Sequence, residues 1–404
     1  MKVRLTLVAA ALTALVAAGC GSSNSSSSSA GGGGSTSAAA AATSSSAGTS
    51  SGGGSGSKCT ASIGIEAPLT GQVAVLGQEQ LAFAELAVAD DNKANGTNIS
   101  LVQGDTQLMP AQATTVTQQF TSNNKIVGVI GPAGSQEVEA VGPLFGRAGL
   151  AFITGSATNS ALTSSGKNPT FFRVVSRDDV QGPQDAHYIV NHLHPKSLMI
   201  VDDQEAYSTG LVAAMMPIFK GAWIKVDHES VSQKVTDFSS LVAKVTPDMS
   251  VVVLPWQVAA NGQQFGKNLA EQKKKAVIFG TDGLFSPSSF TTNGSYVSSF
   301  GPDINYIPAD KAIAAEAKAK FPKYGTFGPP VYAATHVMDE AIASACKNGT
   351  PTRSSVLAAV KATDEPTSIL GQPIKFDSKG DLVGGKFFLF KINSAGKYQL
   401  IPSS

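Results

Sequence analysis

The sequence predicts an α/β fold of two similar halves, each built on a parallel sheet with helices on both faces. Apolar strands alternate with helices three times between residues 61 and 154, and the pattern restarts after residue 180. Strands that alternate with helices in this way form parallel sheets with right-handed crossovers. The chain has 404 residues, 42% of them hydrophobic, which is more than one domain usually needs.

The first half alternates short apolar strands with longer helices. Leu81, Ala84 and Val88 line one face of the first predicted helix, and Pro110 stands in the first turn of the second, where proline fits. The predicted strands of this half are 61–67, 98–104, 125–130 and 150–154, and the predicted helices are 78–95, 110–123 and 135–148.

The second half repeats the pattern. Its clearest strands are SLMIV and SVVVL, while Pro217 is expected to kink its helix or to end it early. The predicted strands are 197–201, 224–227, 250–254 and 276–279, and the predicted helices are 181–193, 208–221, 237–245 and 262–272. Two more helices, 308–321 and 330–347, and a last group of strands at 373–401 complete the chain.

The N-terminus is typical of an exported protein. Lys2 and Arg4 precede an apolar run of residues 5–18, which is short for a membrane span and suits a signal peptide. The run ends in Ala-Ala-Gly-Cys, which resembles a bacterial lipobox. We therefore expect residues 1–19 to be a lipoprotein signal peptide and Cys20 to carry the lipid. The alternative is a plain secretory signal that ends near a cysteine.

A low-complexity segment follows the candidate lipidation site. Residues 21–57 are Gly, Ser, Ala and Thr, with Asn24 the single exception. Such a segment buries too little apolar surface to offset its ordering entropy. Residues 20–57 are therefore predicted to be a lipidated cysteine and a disordered tether that holds the folded part off a membrane.

The composition and the motifs argue against several classes of function. Lys plus Arg is 30 and Asp plus Glu is 29, a net charge of +1, which disfavours a nucleic-acid binder. The sequence has no phosphate-binding loop, dinucleotide fingerprint, G-x-S-x-G elbow or H-E-x-x-H motif. His192 and His194 form an H-x-H pair that we interpret as a solvated helix end, with a metal site as the alternative. We expect neither an enzyme nor a bound metal or cofactor.

Polar, glycine-rich turns follow four of the predicted strands. They are residues 67–71, 131–135, 154–158 and 280–283. The carboxyl ends of parallel strands share one edge of a sheet, and this edge is where open α/β folds bind their ligands. The four turns are therefore the candidate ligand site.

These turns belong to seven segments that resemble the type I periplasmic binding proteins, in the branch that binds leucine, isoleucine and valine. The segments follow the order of that family and together span residues 59–404. They are EAPLTGQVAVLG (66–77), VIGPAGS (129–135), FITGSATNSAL (152–162), FRVVSRDDVQGPQDA (172–186), TDFSSLVAKV (236–245), IFGTDG (278–283) and KFDSKGDL (375–382).

The resemblance implies a two-lobed fold with three hinge crossings, near Arg177, Ile307 and Gly385. Lobe 1 would comprise residues 58–177 and 308–385, and lobe 2 residues 178–307 and 386–404.

The resemblance also implies how lobe 1 would bind the ligand. The family holds the α-carboxylate of an amino acid over the start of the helix after the third strand, which begins here at Ser135. Free backbone N–H groups and the positive end of a helix favour an anion there. Ser135 also suits a simple N-cap. The next turn would add the backbone of Ser156 and the side chain of Thr158.

The remaining expected contacts are distributed over both lobes. Asp282 would accept the ligand ammonium, with an Asp that caps its own turn as the alternative. Tyr207 would cover the ligand, the alternative being a surface aromatic. Trp256 lies near another family aromatic, but it cannot be separated from its neighbour Gln257. Leu76 would contact the ligand side chain, and Asp178 has a hinge or site-edge role.

Cys59 and Cys346 are predicted to form a disulfide, because helix C-termini and strand N-termini share the sheet edge away from the ligand. An exported chain also meets oxidising conditions. Two separately buried free thiols are the alternative.

The sequence-based prediction is a monomeric, lipid-anchored solute-binding protein outside the cytoplasmic membrane. It would pass a small amino acid, branched-chain or similarly apolar, to an ABC permease. The alternatives are a sensor of the same fold, a hydrolase that uses the cleft, and a binder of amides or aromatic acids.

Overall fold

The computed structural model describes residues 59–402, which form fourteen strands and eleven α-helices. The strands are β1 (Thr60–Ala67), β2 (Asn98–Asp105), β3 (Ile126–Ile130), β4 (Ala151–Thr154), β5 (Phe171–Arg173), β6 (Ser197–Asp202), β7 (Lys225–Ser230), β8 (Met249–Leu254), β9 (Val277–Gly280), β10 (Tyr296–Ser299), β11 (Asp364–Glu365), β12 (Ile374–Lys375), β13 (Phe388–Ile392) and β14 (Tyr398–Ile401). The helices are α1 (Ala74–Asn95), α2 (Pro110–Ser122), α3 (Ser135–Ala148), α4 (Ala161–Ser164), α5 (Asp178–Tyr188), α6 (Ala206–Gly221), α7 (Ser239–Ala243), α8 (Ala259–Glu271), α9 (Lys311–Lys320), α10 (Gly328–Cys346) and α11 (Arg353–Lys361).

Lobe 1 is the five-stranded parallel sheet β2-β1-β3-β4-β5 with its helices. Side chains alternate between the two faces of each strand. Ile153 packs with α1, α9, α10 and α11, and its neighbour Phe152 packs with α2 and α3 on the other face. Both side chains are fully buried, so the sheet lies between two apolar layers.

Lobe 2 is the seven-stranded sheet β14-β13-β10-β9-β8-β6-β7 with its helices. Strands β6 to β10 run parallel, and β13 and β14 add an antiparallel edge. Leu198 and Ile200 of β6 pack with α5 and α6, whereas Met199 and Val201 pack on the opposite face with the α7–α8 layer. The α/β architecture predicted from the sequence is confirmed.

Several elements differ from the predicted ones. Helix α6 runs through Pro217 to Gly221, so the prediction of an early end is wrong. Pro217 faces solvent, where water can satisfy the backbone carbonyl that a proline leaves without a donor. The predicted helix 237–245 is only Ser239–Ala243. The short elements α4, β5, β10 and α11 were not predicted.

Three chain crossings connect the lobes, and their side chains pack together. Val175, Phe300 and Phe387 come from the first, second and third crossing, and they form one buried cluster with Phe327. The second crossing lies earlier than predicted, because β10 ends at Ser299 and Ile304 already packs in the core of lobe 1.

A disulfide joins Cys59, just before β1, to Cys346 at the end of α10, as predicted. The two Cα atoms are 5.8 Å apart, and the bond connects positions separated by 287 residues. No helix within residues 59–402 is both long and apolar enough to cross a membrane. The predicted signal peptide, Cys20 and the tether lie outside the described residues.

Candidate ligand-binding cleft

The candidate cleft lies where the carboxyl ends of the parallel strands of both lobes meet. Helices α3 of lobe 1 and α6 of lobe 2 contact each other there. A cavity of about 40 Å³ remains between the lobes, lined by Leu76 and Glu79 on one side and by Gln257 and Gly283 on the other. This volume is close to that of one water molecule. The lobes must therefore separate before a molecule the size of an amino acid can enter.

The start of α3 forms one wall of the cleft. Ser135 is the first helical residue and is buried, and its hydroxyl accepts a hydrogen bond of 3.2 Å from the backbone N–H of Asn159. The backbone N–H of Gly134 donates to the Glu137 carboxylate at 2.7 Å. The first N–H groups of a helix have no partner within it, so this end of α3 suits an anionic group.

The turn after β4 lies beside the start of α3. The Ser156 hydroxyl donates to the carbonyl of Ala133 at 2.8 Å and accepts from the Gln80 amide at 3.0 Å. Thr158 is buried, and its hydroxyl has no hydrogen-bond partner within residues 59–402. Arg173 fixes this turn from behind, because its guanidinium donates to the carbonyls of Ala157 and Asn159.

Two predicted residues of lobe 2 contact each other directly. The Tyr207 hydroxyl donates to Asp282 Oδ1 at 2.8 Å, and it accepts from the backbone N–H of Gly283 at 3.1 Å. Both side chains are buried. Burial raises the pKa of Asp282 to about 6, although the hydrogen bonds from Tyr207 and Gln181 oppose the rise. Tyr207 is therefore not a surface aromatic.

Asp178, the first residue of α5, is buried between the lobes. Neither of its carboxylate oxygens has a hydrogen-bond partner in the described part of the chain. A Cβ at Gly210 of lobe 2 would lie 2.9 Å from Asp178 Oδ2, so α6 closes over this carboxylate. Burial raises the pKa of Asp178 to about 8, Asp282 adds to the rise, and Thr158 of lobe 1 opposes it.

Polar and apolar contacts hold the lobes together across the cleft. The amide of Gln136 donates to Gln257 Oε1 at 2.9 Å, and the amide of Asn159 donates to the carbonyl of Ala206 at 2.6 Å. Val258 of lobe 2 packs in a cluster with Val73, Leu108 and Ala133 of lobe 1. The structure therefore has its lobes closed.

Trp256 does not face the cleft, and its predicted role as a ligand contact is wrong. Its indole is buried in the core of lobe 2 against Phe238 and Phe265, and the ring N–H donates to the carbonyl of Val201 at 2.8 Å. The neighbouring Gln257 reaches across the cleft instead. Of the two residues that the sequence could not separate, Gln257 therefore points into the cleft and Trp256 into the core. Leu76 is half-buried at the edge of the 40 Å³ cavity.

Sequence reasoning missed Gln136, Asn159 and Glu79. Glu79 is buried beside the cavity and accepts three backbone hydrogen bonds of 2.7–3.0 Å from the loop before α10 and its first residue. Gln136 follows Ser135 directly, and Asn159 follows Thr158. The signal for both was therefore their position within turns that the sequence had already indicated.

Comparison with known proteins agrees with this geometry. An amino acid binding protein of Pseudomonas aeruginosa is 28% identical over 350 residues, which cover 84% of this chain and 92% of the relative. The Leu/Ile/Val-binding protein homolog 3 of Brucella melitensis is 28% identical over 345 residues, with coverage of 83% and 92%. By their names, both relatives are binding proteins rather than enzymes, as the sequence predicted.

Solved structures share the fold at low sequence identity. The branched-chain amino acid transporter substrate binding protein LivJ from Streptococcus pneumoniae, in complex with isoleucine, has a TM-score of 0.75 and 22% identity, covering 85% of this chain and 99% of LivJ. A solute binding protein from R. palustris in complex with 4-hydroxybenzoate has a TM-score of 0.73 and 18% identity, covering 85% and 96%.

The profile of one family covers nearly all of the described chain. It is that of the periplasmic binding proteins, and the match spans residues 60–397, which include the lobe 1 sheet, the lobe 2 sheet apart from β14, and every residue of the cleft. The chain therefore belongs to the periplasmic binding protein family.

Proposed function

We propose that the chain is the substrate-binding component of an ABC transporter and that it captures an amino acid between its two lobes. The observation that carries this proposal is the buried carboxylate of Asp178, which makes no close hydrogen bond within residues 59–402 and lies near Asp282 and the Thr158 hydroxyl. A buried carboxylate is costly unless a cation or a proton accompanies it. The ammonium group of an amino acid would supply that cation.

The opposite end of the ligand would meet lobe 1. The start of α3 offers backbone N–H groups and the positive end of the helix, and Thr158 offers a buried hydroxyl that lies near the Asp178 carboxylate and makes no close hydrogen bond within the described residues. The side chains of Ser135 and Ser156 connect the start of α3 to the turn after β4, through hydrogen bonds with Asn159 and Ala133. The α-carboxylate would therefore bind against lobe 1, while the ammonium binds between Asp178 of the first crossing and Asp282 of lobe 2.

The side chain of the ligand would extend toward Leu76. Leu76 packs beside Val73, Leu108 and Val258, so this end of the cleft is apolar. An aliphatic side chain fits such surroundings, in line with the names of the Leu/Ile/Val-binding relatives. Tyr207 acts as a positioning residue, because its hydroxyl holds the Asp282 carboxylate in place.

An aromatic acid is the second candidate ligand, because one structural neighbour was solved with 4-hydroxybenzoate. The cleft disfavours this class. A benzoate carries a carboxylate and no cation, so Asp178 and Asp282 would have to stay protonated beside it. The ammonium group of an amino acid would balance the negative charge of both carboxylates.

A thermal-shift panel tests the proposal. Leucine, isoleucine and valine are compared with 4-methylpentanoate, which lacks the ammonium, with 3-methylbutylamine, which lacks the carboxylate, and with 4-hydroxybenzoate. A ligand at 100 times its dissociation constant stabilises the fold by about 2.7 kcal/mol. We expect a shift with at least one amino acid and none with the two truncated analogues. An equal shift with 4-methylpentanoate or 4-hydroxybenzoate would refute the assignment of the acids.

Export, lipidation and delivery to a permease are further parts of the proposal. Family membership supports an extracytoplasmic location. Cys20 would anchor the chain to the outer face of the membrane through the tether 21–57, and mass spectrometry of the membrane fraction tests this. Uptake of labelled ligand by vesicles that contain the permease, with and without the protein, separates a transport component from a sensor.

A further inference from the structure

Lobe 1 contains a second cluster of ionisable side chains, remote from the cleft. It consists of Asp91 on α1, His336, Asp339 and Glu340 on α10, and Glu365 on β11. Asp91 lies 15 residues after Leu76 on α1, which is about 22 Å along the helix axis. This acid–histidine cluster is therefore independent of the ligand site.

The side chains of the cluster converge from separate elements. His336 Nδ1 is 2.8 Å from Asp91 Oδ1, and His336 Nε2 is 3.9 Å from Glu365 Oε2. His336 and Glu340 are four residues apart and share one face of α10. One donor atom each from Asp91, His336 and Glu340 lies within 4.8 Å of the others.

Asp339 is the observation that points to a ligand. Its side chain is 0% exposed, and no donor group among the described residues reaches either carboxylate oxygen. The carboxylate faces into the cluster, where it lies against Asp91 and near His336 and Glu340. Asp91 Oδ2 is buried and also has no donor within the described residues, so the contact between the two carboxylates is a hydrogen bond only when one of them holds a proton. Two unpaired buried carboxylates side by side repel each other unless a cation or a proton lies between them.

We propose that Asp91, His336, Asp339 and Glu340 bind one divalent transition metal ion, for which zinc is the test ion. One imidazole with carboxylates is a donor set that zinc accepts, with bonds of about 2.0–2.2 Å. In a tetrahedral zinc site, bonds of this length place neighbouring donors about 3.3–3.6 Å apart. The donors of Asp91, His336 and Glu340, which lie within 4.8 Å of one another, would therefore have to draw together by up to about 1.5 Å through side-chain rotation.

The surroundings fit a histidine that binds a metal through Nδ1. Its other ring nitrogen, Nε2, lies 3.9 Å from Glu365 Oε2, which is beyond hydrogen-bond distance; a small movement of either side chain would give the imidazole–carboxylate hydrogen bond that orients many metal-bound histidines. Glu340 is oriented by Asn95, whose amide donates to Glu340 Oε1 at 2.6 Å. The ion would join α1 to α10, the two helices that cover one face of the lobe 1 sheet, and would stabilise that layer.

The competing occupant is a proton. Without a cation, burial and the neighbouring Asp91 raise the pKa of Asp339 to about 9, and the pair would share a proton at neutral pH. The two occupants predict different results in a metal titration, because a shared proton gives no stoichiometric binding of zinc.

Isothermal titration of the chelator-treated protein with zinc chloride tests the site. We expect one zinc ion per chain, and at least tenfold weaker binding in His336→Asn and in Asp339→Asn. Zinc should also raise the unfolding temperature of the unchanged protein and of neither variant. Circular dichroism shows whether each variant folds. If His336→Asn does not fold, the test rests on Asp339→Asn, which replaces one carboxylate oxygen by an amide group of similar size.

The matched control is His228→Asn. His228 Nε2 is 2.7 Å from Asp202 Oδ2, and its side chain is 41% exposed against 36% for His336, so the two His–Asp pairs are alike. His228 has no further acid cluster in the described chain. Zinc binding should survive this change. If the unchanged protein does not bind zinc stoichiometrically, the proposal is overturned and the occupant is a proton. If His228→Asn weakens zinc binding as much as His336→Asn does, the proposal is also overturned, because the ion then binds to surface histidines.

Discussion

Asp178→Asn should make the ligand-free protein more stable and unable to bind its ligand. The pKa of Asp178 rises from the ordinary 3.8 to about 8 in the fold. At pH 7 the folded state therefore holds a proton that the unfolded state has released. The difference corresponds to about 4 kcal/mol in the free energy of unfolding, an upper value that applies to the ligand-free protein with its lobes closed, as in this structure. Asparagine is neutral in both the folded and the unfolded state, so the variant should avoid most of that loss of stability.

The pH dependence supplies the sign of the effect. Because the pKa is raised in the folded state, the stability of the unchanged protein falls as pH increases from about 4 to about 8. The advantage of Asp178→Asn should vanish near pH 4 and be largest above pH 8. For a folded part of this size, 4 kcal/mol corresponds to a rise of about 6 °C in the unfolding temperature at pH 7. Differential scanning calorimetry at several pH values measures it.

The same variant should lose the thermal shift caused by the amino acid. A hydrogen bond to a charged group contributes about 1.5–3 kcal/mol, which is a loss of about 10- to 150-fold in affinity. Asp185→Asn is the control. Asp185 is also buried on α5, but its carboxylate accepts from Ser298 rather than facing the cleft, so ligand affinity should be unchanged. If Asp178→Asn destabilises the ligand-free protein and keeps its affinity, the carboxylate is a structural group and the reasoning fails.

Four further changes distinguish residues that bind the ligand from residues that only stabilise the fold. Asp282→Ala should abolish the shift by amino acids and leave the circular dichroism spectrum unchanged; undiminished affinity would remove Asp282 from the site. Trp256→Phe should cost about 1–3 kcal/mol of stability, because it removes a buried hydrogen bond, with ligand affinity preserved, whereas Gln257→Ala should weaken ligand binding with little loss of stability. Replacing Cys59 and Cys346 by serine should lower stability by about 2–4 kcal/mol in urea unfolding; an unchanged midpoint would mean that the bond is absent in solution.

Strong apolar periodicity made most of the fold predictable, and elements with weak periodicity were missed. The strand SVVVL matches β8 because four adjacent apolar residues are buried there. Strand β10 ends in two serines, which are buried only because Ser298 bonds Gln181 and Asp185 and Ser299 bonds Thr326. No local pattern reveals partners that lie 27 to 117 residues away in the chain.

The site could be predicted as a set of turns, but not as a set of side-chain directions. Asp282 and Tyr207 were both predicted to contact the ligand from lobe 2, and the structure brings them together because each follows a strand end at the same sheet edge. Trp256 and Gln257 also follow a strand end, and the sequence could not tell which of them faces the core. For Asp178 the sequence indicated only a hinge or site-edge role, since nothing local indicates that Thr158 and Gly210 enclose it from both lobes.

That enclosure links ligand charge to lobe closure. Asp178 is buried by lobe 1 on one side and by α6 of lobe 2 on the other, so its desolvation belongs to the closed form. Moving a two-state equilibrium from 1:99 to 99:1 takes about 5.5 kcal/mol of preferential binding. Two charge-assisted hydrogen bonds from one ammonium, to Asp178 and to Asp282, contribute about 3–6 kcal/mol together. An ammonium group thus contributes an energy of the order that closing the lobes requires, while an uncharged group in its place leaves both acids uncompensated in the closed form. On this reasoning the buried acids select the class of ligand through the energy of closing, and the apolar wall near Leu76 selects among amino acids.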